Sequence, residues 1–230
     1  MIFHILTIFP DIFTSYFNES ILKRAQDKKI IKIKAHDLRK WTTDKHKTVD
    51  DRPYGGGAGM VLKAEPIIKA ITVIKSRNKK SKIILLSAKG NKWNQAMAKK
   101  YANPEYSGNN IILICGRYEG VDERVIKIAK NMFGAKNVAE ISIGDYVLTG
   151  GEIPAMIITD SITRLLPGVL GNKESVINES HSTLNQLEHP QYTRPEELKI
   201  NGKIYKVPKV LLSGNHKNTE EWKNKNSKKL

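Results

Sequence analysis

The chain has one cysteine, Cys115, among 230 residues. An internal disulfide is therefore excluded, and the composition suits a reducing compartment. No apolar run approaches the roughly 20 residues needed to span a bilayer. The opening Met1-Ile2-Phe3-His4-Ile5 lacks the basic flank and small-residue cleavage site of a secretory signal. A cytoplasmic protein without a membrane span is expected. His36, His181, His189 and His216 show no metal-ligand spacing with Cys115 or with one another, so no metal site is expected. There is no internal repeat. Acids are also scarce: 23 Asp and Glu face 39 Lys and Arg, for a net charge of +16. Between Lys75 and Lys100 lie nine basic residues and no acid. Coding bias toward Lys and Asn would raise the total charge, but it need not cluster it. The clustering favours a polyanionic partner such as nucleic acid.

What is present suits one sizeable core plus a small appendage. Ile2–Phe9 reads as a strand closed by Pro10. Asp11 then caps a helix to about Gln26, with Ile12, Phe13, Phe17, Ile21 and Leu22 on one face. Ile31, Ile33 and Ala35 alternate with lysines as a half-buried strand. His36–Gly59 is a long polar loop, which in a compact protein is functional or mobile. Helix is expected over Ala64–Ile74, Asn91–Tyr101, Val121–Met132 and Ile153–Leu165. Strand is expected over Lys82–Ser87, Asn110–Cys115 and Val138–Ile143. Alternating strands and helices indicate an α/β fold with a largely parallel sheet. Gly171–Glu179 reads as a linker, and Lys223–Leu230 as a frayed tail. His4 and Cys115 lie on apolar strands and read as a satisfied core histidine and a buried, inert thiol.

Three glycine-rich stretches stand out. Ile141–Pro154 reads I-S-I-G-D-Y-V-L-T-G-G-E-I-P. Leu113–Val125 reads L-I-C-G-R-Y-E-G-V-D-E-R-V. Pro53–Met60 reads P-Y-G-G-G-A-G-M. Apolar runs ending in glycine let a backbone approach a flat ligand and offer its N–H and C=O groups; paired hairpin turns are the plainer alternative. A dinucleotide or P-loop site at Gly55–Gly59 fails on context, since no apolar strand precedes it and no G-K-[ST] follows.

Together these stretches resemble the bacterial tRNA (guanine-N1)-methyltransferase family. The resemblance runs from Ile2 to about Trp222 and includes Thr48–Gly57, Pro167–Gly171 (P-G-V-L-G), Tyr192–Pro195 (Y-T-R-P) and Leu211–His216 (L-L-S-G-N-H). It implies a trefoil-knotted, SPOUT-type domain over 1–170 that binds S-adenosylmethionine, a flexible linker over 171–179, and a small C-terminal tRNA-binding domain over 180–230. It also implies methyl transfer to N1 of guanosine 37 of tRNA by a homodimer with shared active sites, and a magnesium requirement with no dedicated protein cage. The cofactor pocket would involve Leu86, Ser87, Gly116, Tyr118, Gly120, Ile143, Gly144, Asp145, Tyr146, Val147, Leu148, Gly150, Gly151 and Pro154. The tRNA would meet His46, Asp50, Arg52, Gly59, Ser175 and Ser180.

Guanine N1 is a poor nucleophile until its proton leaves, and negative charge then builds toward O6. A base and a nearby cation are needed. By resemblance the base is Glu179, the cation Arg164, and Glu119 the pocket acid. The plainer readings are an exposed linker acid for Glu179 and an i,i+4 partner of Asp160 for Arg164. Three features depart from the family pattern. Glu179 stands where the family has aspartate, Lys127–Ala139 reads as a longer surface connection, and the chain stops soon after Trp222, a truncated small domain. Two rival readings are a knotted enzyme acting on ribose or rRNA and an RNA-binding protein without catalysis. Arg164 with a linker carboxylate argues against ribose, whose hydroxyl is no lactam.

Overall fold

Ile111–Cys115 is apolar without interruption because it is buried on both faces. In the computed structural model, which describes residues 1–77, 80–171, 180 and 186–229, it is the central strand of a parallel sheet. The chain divides into two compact units, Met1–Gly171 and Asn172–Leu230.

The first unit opens with β1 (Ile2–Thr7), α1 (Thr14–Phe17), α2 (Ser20–Asp27), β2 (Lys32–Asp37), and the two-residue strands β3 (Asp50–Asp51) and β4 (Val61–Leu62). There follow α3 (Ala64–Arg77), β5 (Lys82–Lys92), α4 (Gln95–Ala102), α5 (Pro104–Ser107), β6 (Asn110–Cys115), α6 (Arg124–Phe133), β7 (Val138–Ser142) and α7 (Glu152–Thr163). The sheet order is β2-β1-β6-β5-β7, with every pairing parallel. Side chains alternate across it. Phe3, Ile5, Leu113 and Ile141 pack with α7 residues such as Ile158 and Ile162, while Leu6, Ile83, Ile112 and Ile114 pack with Ile67 and Ile71 of α3 and Val125 of α6.

The second unit holds β8 (Gln186–Leu187), β9 (Glu197–Ile200), β10 (Lys203–Lys206), α8 (Lys209–Leu212), α9 (His216–Asn226) and β11 (Lys228–Lys229). β9 pairs antiparallel with β10, and β8 with β11. The expected frayed tail is corrected here: Lys223–Asn226 completes α9, whose Asn215 cap accepts the Asn218 N–H, and Lys228–Lys229 pairs with β8. The expected linker lies outside the described residues except for Gly171. Among the described residues no helix is long and apolar enough to cross a membrane.

Other expectations are also revised. The single helix from Asp11 is three pieces: a 3-10 turn at Pro10–Phe13, then α1, then α2. Asp11 caps nothing, because Pro10 starts the turn, and Ser20 at φ 47 breaks the helical run. Lys127–Ala139 is not a surface elaboration. It completes α6, turns at Gly134 and enters β7, burying Ala129 and Val138. Asn91–Lys92 belong to β5, not to a helix; α4 begins after Asn94, whose side chain accepts the Met97 N–H. β5 meets β7 twice: Leu86 and Asn91 both pair with Ile141, and Ser87–Gly90 loops out between them. Such irregularities re-aim side chains next to functional sites.

His4 is buried, 4% exposed, and its Nδ1 lies 3.0 Å from His36 Nε2. Its Nε2 has no partner, so it is buried as expected but only half satisfied. Burial, His36 and Lys34 together push its pKa down from 6.5 to about 4. The neutral form is thus the folded form. The resulting stability is complete above pH 6.5 and is lost as pH falls toward 4, because the unfolded chain binds the proton first. Urea unfolding should show this histidine costing about 2 kcal/mol between pH 7 and pH 5. His4→Leu should flatten that decline; an equal pH dependence in wild type and variant would rule the buried pair out as its source.

Candidate active site

Three segments lie at the carboxyl end of the sheet: Ser87–Lys89, which loops out between the two halves of β5, and Gly116–Gly120 and Ile143–Gly151, which follow β6 and β7. Parallel α/β sheets bind ligands at such ends. They enclose a cavity of ≈ 400 Å³, within the size range of small-molecule sites. Of the expected cofactor residues, Leu86, Ser87, Gly116, Tyr118, Gly120, Ile143, Tyr146, Val147, Leu148, Gly150, Gly151 and Pro154 line it. Gly144 and Asp145 do not. The Asp145 carboxylate instead pairs with Lys92 on the second half of β5, and the Gly144 carbonyl accepts from the Ser142 hydroxyl.

The loops are pinned by residues that motif reading passed over. Glu152, the first residue of α7, is 1% exposed. Its Oε1 accepts from the Thr7 hydroxyl at 2.8 Å and its Oε2 from Arg117 Nε at 3.0 Å. Arg117 also donates from Nη1 to the Thr149 carbonyl at 3.2 Å, and its guanidinium lies 4.6 Å from the centre of the Phe9 ring. Gly151 N–H donates to Gly116 O at 2.8 Å. A Cβ at Gly151 would stand 2.6 Å from Cys115 Cα, so only glycine allows that approach. Burial raises the Cys115 thiol pKa well above its ordinary value, as an inert thiol requires. The only signal in the sequence for the Arg117–Glu152 pair is that each stands next to a glycine of its motif, Gly116 and Gly151.

Tyr118 takes φ 58, a left-handed conformation costly for a residue with a Cβ, and leaves its ring half exposed at the cavity. Glu119 also lines the cavity, and its N–H donates to Met60 O at 3.0 Å. Gly59 is pressed against it: an added Cβ would lie 2.5 Å from Glu119 Oε1. One expected tRNA residue and the expected pocket acid are therefore neighbours. His46 and Arg52 are exposed on the same long segment, and Asp50 is in β3 opposite Leu62. Asp51 accepts the Arg52 N–H and lies 3.4 Å from Lys63, which fits a capping role. Glu140 was not anticipated either. It is among the residues that line the cavity; its Oε1 is buried without a hydrogen-bond partner, 4.0 Å from Lys89 Nζ.

Arg164 is not among the residues that line the cavity. It caps α7 at the end opposite Pro154, about 15 Å away at the helical rise. The Asp160 carboxylate accepts from the Tyr16 hydroxyl, whose pKa that bond pushes up to about 12. Ser180, in the second unit, accepts the Glu188 N–H at 3.0 Å. Glu179 and Ser175 lie outside the described residues.

If the Arg117–Glu152 pair holds the loops, Arg117→Ala strands a buried carboxylate and should cost on the order of 3–5 kcal/mol in urea unfolding. Adding Glu152→Gln should recover part of that loss. A single Arg117→Ala variant within about 1 kcal/mol of wild type would show the pair to be incidental.

Comparison with known proteins gives a consistent result. The family described as tRNA (Guanine-1)-methyltransferase TrmD matches residues 1–230. The chain is 51% identical over 225 residues to the tRNA (guanine-N(1)-)-methyltransferase of Dictyoglomus turgidum (strain DSM 6724 / Z-1310), covering 98% of this chain and 84% of that protein. It is 48% identical over 224 residues to the tRNA (guanine-N(1)-)-methyltransferase of Bacillus cereus (strain AH820), covering 97% of this chain and 85% of that protein.

Proposed function

The chain belongs to the tRNA (guanine-1)-methyltransferase family, and from that premise we propose that it methylates N1 of guanosine 37 of tRNA, in the cytosol, with S-adenosylmethionine as donor. The observation that carries the reading is the cavity itself, lined by the glycine loops of the family motifs. S-adenosylmethionine supplies a methyl group already activated on a sulfonium, so no protein nucleophile is needed. Backbone groups of Gly116–Gly120 and Ile143–Gly151 would hold it, with the acids of the cavity wall, Glu119, Glu123 and Glu140, facing its positive charge. Glu179 takes the N1 proton, and Arg164 offsets the charge that develops at O6. Glu119, against Gly59, stands where cofactor and base would adjoin. Magnesium belongs to the proposal only through substrate groups. Among the described residues no three His, Cys, Asp or Glu side chains come together as ligands, and no step uses the ion.

The proposal includes a knotted SPOUT-type topology. The return of Asn91–Lys92 to β7 and the bond between Gly151 and Gly116 support it, since both interleave segments distant in sequence. It also includes a homodimer with shared sites. Phe9, Ile12, Val147, Ile153 and Ile157 are exposed apolar side chains on and beside α7, as a covered face requires. In this reading Arg164 and the cofactor come from one subunit and the residues about Glu179 from the other, so a second copy would complete the site.

Glu179→Gln should lower single-turnover methyl transfer by on the order of a hundred- to ten-thousandfold, with cofactor and tRNA binding retained. Activity of that variant should rise at high pH as N1 loses its own proton. Near wild-type turnover at neutral pH would remove Glu179 from the mechanism.

The shared site has its own test. Arg164→Ala and Glu179→Gln subunits, each inactive alone, should regain activity when mixed and refolded, since a mixed dimer holds one intact site. No recovery in a mixture verified to contain mixed dimers would mean that each chain supplies both groups to the same site.

A further inference from the structure

The end of the sheet opposite the cavity carries an excess of positive charge that methyl transfer does not use. Residues 75–77, 80–82, 95–107 and 134–137 contain seven basic side chains and one acid, Glu105. Lys82, at the start of β5, is 7% exposed. Its Nζ donates to Lys136 O at 2.8 Å and Asn137 Oδ1 at 3.2 Å, and lies 4.1 Å from the centre of the Tyr106 ring. Lys100 Nζ lies 4.4 Å from the same ring. Two ammonium groups thus share one aromatic ring, and Lys82 is held by neutral dipoles with no carboxylate among those partners. Burial, and after it the charge of Lys82, lowers the pKa of Lys75, whose Nζ lies over Phe133. Keeping like charges this close is costly unless an anion offsets them.

We propose that this pole is a second RNA surface, holding phosphodiester groups about 13 Å along β5 from the cavity wall at Leu86. The proposal rests on the reading of the chain as an enzyme acting on RNA. The chemistry is backbone recognition and not base reading. Tyr106 is taken up by two lysines and by the edge of Tyr101, centroid to centroid 5.2 Å, so it is not open for stacking. Six of the seven cations are lysines, point charges without the planar fork that reads base edges.

The test is a triple variant, Lys80→Gln/Lys100→Gln/Lys136→Gln, all three exposed in the wild type. Labelled tRNA and an unrelated RNA duplex would be titrated by anisotropy between 50 and 200 mM salt. RNA affinity should fall about tenfold or more, and the log–log salt slope should become shallower by about 2 to 3. Calorimetric binding of S-adenosylmethionine should not change, which also verifies the fold. A control, Lys23→Gln/Lys69→Gln, removes charge from lysines already paired with Asp27 and Glu65 and outside the expected tRNA-binding segments; it should bind RNA nearly as wild type does. If the pole holds the substrate, KM for tRNA rises with kcat unchanged. If it holds another RNA, duplex affinity falls while KM stays. An unchanged slope in the pole variant, or an equal loss in the control, overturns the proposal. RNA binding is read without turnover, so failure of the methyl-transfer reading would be seen separately.

Discussion

A carboxylate with almost no access to water fixes the geometry of this molecule's cavity. Glu152 sits at the junction of β1, the loop after β6 and the start of α7, and it accepts from Thr7 and Arg117. A buried carboxylate without such partners would carry a desolvation cost of several kcal/mol. The loop after β6 cannot leave α7 without exposing that cost. The Arg117 bond to Thr149 O and the Gly151 bond to Gly116 O extend the clamp along both loops. The cavity is therefore bounded by backbone held under charge constraint. This is how glycine-rich loops, which lose the most entropy on ordering, can form a defined site.

Much of the fold was legible because the sheet is buried on both faces. The apolar run Ile111–Cys115 read as an interior strand and is the central one, and the strand expected from Val138 is the edge strand β7. What was not legible followed from tertiary contacts that periodicity does not encode. Asn91–Lys92 are polar and read as the start of a helix, yet a second pairing with Ile141–Ser142 draws them into β5. The amphipathic pattern after Pro10 is helical in period, but the chain bends at Ser20 to lay Phe13, Phe17 and Leu22 against one core. At the site, the glycine motifs pointed to the loops, and twelve of the fourteen expected positions line one cavity. Arg117, Glu140 and Glu152 were missed because each is judged by its partner, and the partner lies tens of residues away.

The sheet is polar in its chemistry as well as in its strand direction. At the carboxyl ends, turns expose backbone donors and acceptors, and the acids Glu119, Glu123 and Glu140 line the cavity. Lys89 lies between two of these, 2.5 Å from Glu123 and 4.0 Å from Glu140, so the acidic wall is partly neutralised. At the amino ends, lysines gather around aromatic rings and carbonyls. An acidic cavity suits a cationic small molecule, and a basic far end suits a polyanion. Separating the two along the strands by more than a Debye length at physiological salt keeps each field from cancelling the other.

The separation of Arg164 from the cavity bears on how a glutamate at 179 would serve in the role of base proposed for it. If the base and the cation come from segments not rigidly tied within one chain, their distance is set at assembly and not by local backbone. A methylene added to one carboxylate lengthens its reach by roughly one carbon–carbon bond. Within a rigid site, a displacement of about 1 Å costs on the order of a hundredfold in rate. At a site closed by a second copy, as proposed, the approach of the facing surfaces would absorb the same displacement, and Ile153 and Ile157 are exposed side chains that such a face could use. The clamp around Glu152 must be strict because it joins parts of one chain across a buried charge.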